Sequence, residues 1–76
     1  MRMKLIKKFN RLYPNGSIVS QRIMTEETGV EMFKATVTPD LEKPERYFSA
    51  YAKTIWNLQA AQDKAIKLAL KLLSIE

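Results

Sequence analysis

Lys4, Lys7, Lys8 and Arg11 stand at spacing i, i+3, i+4 and i+7, which on a helix places them on one face. Cations so spaced can neutralise a row of phosphates, giving sequence-independent, salt-sensitive attraction. Arg2 and Arg22 bring the first 25 residues to six cations, and the first carboxylate is Glu26. The whole chain of 76 residues has 13 Lys and Arg against eight Asp and Glu, a net charge of +5, so the excess belongs to one end. A basic patch confined in this way fits a surface that meets an anionic polymer. It also fits an ordinary solvated helix face.

A second constellation lies in the middle of the chain. Tyr47, Ser49, Tyr51 and Lys53 alternate with Phe48, Ala50 and Ala52, and Lys34 and Thr36 alternate with Phe33, Ala35 and Val37. On strands, the first set of each pair shares one sheet face. That face would display Lys34, Thr36, Tyr47, Ser49, Tyr51 and Lys53, joined by Arg22. Rings on which bases stack, beside cations that hold phosphates, suit single-stranded nucleic acid. The plainer reading of Tyr47 and Tyr51 is that tyrosine favours half-exposed strands.

Other chemistries lack their residues. There is no Cys, hence no disulfide scaffold or thiol nucleophile, and no His, hence no histidine acid–base catalysis and no Cys/His zinc site. No EF-hand, Walker or dinucleotide-binding spacing occurs. No catalysis, cofactor or metal is expected. No apolar run approaches the roughly 20 residues of a membrane span, and Asn10 and Arg11 interrupt the stretch a signal peptide would need. An intracellular, cytoplasmic protein with no membrane partner is expected.

The elements that must position these residues follow from periodicity. Leu5, Ile6, Phe9, Leu12 and Tyr13 make one apolar face of a helix over 3–12, stopped by Tyr13-Pro14-Asn15-Gly16. Residues 17–25 are β-branched and read as a strand whose inward face is blurred by Ile18-Val19. Glu26-Glu27-Thr28-Gly29 is a turn in which Gly supplies a positive φ. Residues 30–38 alternate cleanly, with Glu31, Phe33, Ala35 and Val37 toward the core. Pro39 to Pro44 is an acidic loop, and 46–53 is a third strand whose small alanines invite close approach by a helix. A long helix runs from a cap at Thr54 or Asn57 to Ser74, with Trp56 before it as a packing anchor.

This order predicts an α+β domain spanning 1–76, helix, three antiparallel strands, helix (αβββα), with both helices on one face of the sheet. The apolar arc of the last helix covers roughly 220° at 100° per residue, and Lys64, Lys67 and Lys71 occupy the remainder. Leu68, Leu72 and Ile75 lie at the edge of the arc. They either meet the first helix or form an oligomer or partner contact.

Two family resemblances add expectations. The run Ala61-Gln62-Asp63-Lys64-Ala65-Ile66-Lys67-Leu68-Ala69-Leu70-Lys71-Leu72-Leu73-Ser74-Ile75 resembles the closing helix of phage single-strand annealing proteins of the essential-recombination-function type. Phe33 to Asp40 and Tyr47 to Ala52 are similar to that family's second and third strands. The resemblance covers about residues 16–75 and implies single-stranded DNA binding and oligomerisation in recombination or replication of a phage or mobile element. The family's usual Gly-Arg is Lys67-Leu68 here, its acid is Gln62, and a chain this short holds only the core unit. The double-stranded-RNA-binding domain has the same element order, and Ala61, Ala65, Ile66, Ala69, Leu70 and Leu73 fit its packing positions. Its phosphate-gripping lysines fall on Leu58, Gln59 and Gln62, so the resemblance implies the fold without the duplex-RNA grip.

The sequence thus leads us to expect a non-catalytic nucleic-acid binder, single-stranded DNA favoured, using Lys4, Lys7, Lys8, Arg11, Arg22, Lys34, Tyr47, Tyr51 and Lys53. The rival expectation is a protein-interaction module that inhibits or regulates a host complex.

Overall fold

The computed structural model describes residues 2–75, with side chains from Lys4 to Ile75; the Arg2 side chain and Glu76, counted above among the charges, lie outside the described residues. Helix α1 (Arg2–Leu12) leads into strands β1 (Ser17–Ile23), β2 (Val30–Thr38) and β3 (Phe48–Ile55), and helix α2 (Leu58–Lys71) follows. The sheet is antiparallel in the order β1-β2-β3. This is the expected α+β order.

Residues directly opposed on antiparallel strands share a face. Ile18, Ser20 and Arg22 oppose Val37, Ala35 and Phe33, and these oppose Phe48, Ala50 and Ala52 on β3. Phe33, Ala35, Val37 and Ala52 are buried in one cluster with Phe9 of α1 and with Ala61, Ala65, Ile66, Ala69 and Leu70 of α2. Leu5, Ile6 and Tyr13 pack against the same cluster. Both helices therefore lie on one face. Alanines on both sides of the interface let the α2 backbone approach the sheet closely, and at that distance each missing methylene is replaced by the opposing backbone.

The blurred first strand resolves in this register. Ile18 faces the helices, whereas Val19 is exposed on the other side. Arg22 departs from expectation. It lies on the helix side, where its Nη2 sits 3.3 Å from Oε1 and 2.9 Å from Oε2 of Glu31. Glu31 on the core side is thereby explained, because the guanidinium meets a carboxylate that would otherwise be desolvated unpaired.

Pro14 and Gly16 end α1 as expected, with Gly16 N–H donating to the Tyr13 carbonyl at 3.0 Å. The third strand begins and ends two residues later than its alternation suggested, since it stops only where Trp56 turns to φ 55°. Asn57, not Thr54, caps α2, its side chain accepting from Ala60 N–H at 2.9 Å. The helix closes in a Schellman turn: Ile75 N–H donates to the Leu70 carbonyl at 3.1 Å and Ser74 N–H to the Lys71 carbonyl at 2.9 Å, with Ser74 left-handed at φ 62°. This turn folds Ile75 back into the core, where it is 2% exposed. Ile75 is therefore not an available contact residue, while Leu68 and Leu72 stay exposed.

Candidate nucleic-acid interface

On α1 the apolar side chains Leu5, Ile6 and Phe9 turn to the core, which by helical geometry sends Lys4, Lys7, Lys8 and Arg11 away from the sheet. They do not stand alone. A groove of about 1140 Å³ runs between α1 and α2, and its walls carry Lys4, Lys7, Lys8 and Arg11 from one helix and Lys64, Lys67 and Lys71 from the other. Its floor is apolar, with Leu5, Ile66 and Leu68 among the lining residues. Asp63 is the one carboxylate on its walls among the described residues, and it accepts from Gln59 Nε2 at 2.9 Å. Lys8, Lys71 and Asp63 also have partners within the protein; Lys4, Lys7, Arg11, Lys64 and Lys67 are exposed. Like charges on facing walls repel, so an anion between them gains from both sides at once.

The sequence alone does not mark the three lysines of α2 as part of this site. Their signal was present as spacing i, i+3 and i+7 on the polar arc of the helix. Periodicity alone does not say on which flank of α2 the first helix lies, and that decides whether the two basic stripes meet.

The open face of the sheet holds the second group. Lys34 opposes Gln21 and Tyr51, and Thr36 opposes Val19 and Ser49. The Lys34 Nζ lies 5.7 Å from the centroid of the Tyr51 ring, within the range of a cation–π contact. Thr36 Oγ1 and Ser49 Oγ are 3.1 Å apart. Tyr47, just ahead of β3, is 58% exposed and Tyr51 51%; Lys53 is exposed beside Met32. No strand residue of this face is a carboxylate. The face is also apolar at one end, where Ile23, Val30, Met32 and Ile55 lie. The expected set thus divides. Lys34, Tyr51 and Lys53 belong to the sheet side, Tyr47 is exposed just ahead of it, Lys4, Lys7, Lys8 and Arg11 belong to the helix side, and Arg22 is tied to Glu31.

Five of the other acids lie in turns and loops. Glu26 and Glu27 sit in the β1–β2 turn, and Asp40, Glu42 and Glu45 in the β2–β3 loop. Asp40 Oδ1 accepts from Asn15 Nδ2 at 2.8 Å and from Glu42 N–H at 3.0 Å, tying that loop to the end of α1. Among the described residues no three carboxylates converge where they could hold a metal ion. No described helix is long and apolar enough to cross a membrane.

Trp56 is more exposed than a packing anchor would be, at 74%. It rests on Gly29 at the turn end of the sheet.

Comparison with protein-family models, with curated proteins and with solved structures finds no match to this chain.

Proposed function

We propose that this chain is a small non-catalytic nucleic-acid-binding domain that favours single-stranded DNA. One observation carries the reading: among the described residues, seven cations from two helices line a single groove with one carboxylate, Asp63. Neutralising phosphates releases condensed counterions, so affinity falls steeply with salt. The preference for a single strand rests on Tyr51, whose exposed ring has Lys34 Nζ 5.7 Å from its centroid, and on the exposed Tyr47 ring; base stacking contributes on the order of 1–3 kcal/mol per base. A role in recombination or replication of a phage or mobile element is the setting that the annealing-type resemblance suggests.

The test is a titration of labelled single-stranded DNA, duplex DNA and duplex RNA at low and moderate salt. Tight, salt-sensitive binding with single-stranded DNA foremost supports the proposal. No binding to any of the three removes it.

A second reading has its own observation. Met24, Ile55 and Trp56 near the start of α2, and Leu72 past its other end, are large apolar side chains left more than half exposed, and exposed apolar surface is what a protein partner covers. A protein-interaction module, or contact with a further copy through Leu68 and Leu72, would use them. A monomer by sedimentation that ignores nucleic acid would favour the interaction module.

A further inference from the structure

We propose that the domain holds two nucleic-acid segments at once, one in the helix groove and a separate single strand on the open sheet face. This rests on the nucleic-acid reading and goes beyond it in stoichiometry and in what the protein does with its ligand. The carrying relationship is the layering. Phe33, Ala35 and Val37 turn one side of β2 to the helices, so Lys34 and Thr36 between them turn to the other side. The groove cations lie on the far side of the helix layer from that surface. The two basic surfaces are therefore back to back, with the hydrophobic core between them.

Each surface selects an anion independently. Among the described residues the groove carries seven cations against Asp63. The sheet face has Lys34 and Lys53 and no strand carboxylate, so a second copy of the same face would meet like charge, whereas a phosphodiester strand would not. Its Tyr51 ring, with Lys34 Nζ 5.7 Å from its centroid, offers what an unstacked base and its phosphate need. A carboxylate-rich protein could satisfy the lysines, but the ring and the hydroxyl pair Thr36–Ser49 suit a base and sugar edge as well. A protein built this way brings two segments within one molecular thickness of each other.

The experiment is a sandwich capture with the full chain. An oligothymidylate of about 10 nucleotides is tethered, protein is added, and a second labelled oligothymidylate of the same length is offered. The parent protein is expected to capture the second strand. Capture is lost in Lys34→Gln/Tyr51→Ala and equally in Lys7→Gln/Arg11→Gln/Lys67→Gln, although each variant still binds one labelled strand in solution by anisotropy. All these positions are solvent-facing, and circular dichroism checks the fold. Lys34→Gln/Lys53→Gln, which leaves both rings in place, gives a milder loss of capture. One strand bound per chain, with no capture by the parent, overturns the proposal while the nucleic-acid reading stands. So does capture that survives the sheet-face variants, as two copies joined with one groove each would give. No binding of any strand by the parent overturns both.

Discussion

The Trp56 indole closes on Gly29 so tightly that a β-carbon at Gly29 would lie 2.5 Å from Cε2. The backbone adds to the pair, since Trp56 N–H donates to the Gly29 carbonyl at 2.7 Å and both residues are left-handed, at φ 55° and 81°. Gly29→Ala therefore meets two obstacles, a ring and a disfavoured backbone conformation. A loss of roughly 1–3 kcal/mol is expected in urea unfolding followed by circular dichroism. In a Trp56→Ala background the ring is gone, and the cost of Gly29→Ala should fall by at least about 0.5 kcal/mol. Equal costs in the two backgrounds would show that the indole does not rest there.

Gly16 faces a harder boundary. A β-carbon there would come 2.7 Å from Phe9 Cζ, 2.8 Å from the Thr38 carbonyl oxygen and 2.9 Å from that of Pro39. Phe9 is fully buried, and the carbonyls cannot swing away. Gly16→Ala is expected to destabilise by about 1–3 kcal/mol through overpacking. Pairing it with Phe9→Leu should not rescue it, because the two carbonyls remain. A neutral Gly16→Ala in thermal unfolding would contradict this packing.

Ser74 occupies a left-handed position where the Schellman turn prefers glycine. Ser74→Gly relieves that strain at some cost in unfolded-chain entropy. The net expectation is a gain of roughly 0.5–1 kcal/mol, a rise of a few degrees in Tm. A fall in Tm would mean that the turn does not carry Ile75 into the core as described.

Much of the scaffold was legible because its signals are local. The alternation of Phe33, Ala35 and Val37 gave β2, and Gly29 gave the positive φ of the turn. Ala50 and Ala52 announced a close helix. What was not legible depends on tertiary placement. The Ile18-Val19 pair hides the phase of β1, so the sequence puts Arg22 with the open face; its true phase appears only through pairing with Phe33 and Glu31. Periodicity leaves Ile75 open between the first helix and a partner contact, because a helical projection does not foresee a left-handed turn at a serine. The meeting of Lys64, Lys67 and Lys71 with the α1 cations depends on which flank of α2 the first helix covers. Periodicity has no information about that.

The α1 cations are the heart of the functional reading, and their contribution can be counted. The slope of log affinity against log salt for a single strand reports about 0.7 per phosphate neutralised. We expect a Lys4→Gln/Lys7→Gln/Lys8→Gln/Arg11→Gln variant to bind single-stranded DNA more weakly and to lower the magnitude of that slope by as much as roughly 3. The same affinity and the same slope in parent and variant would contradict phosphate binding by this helix.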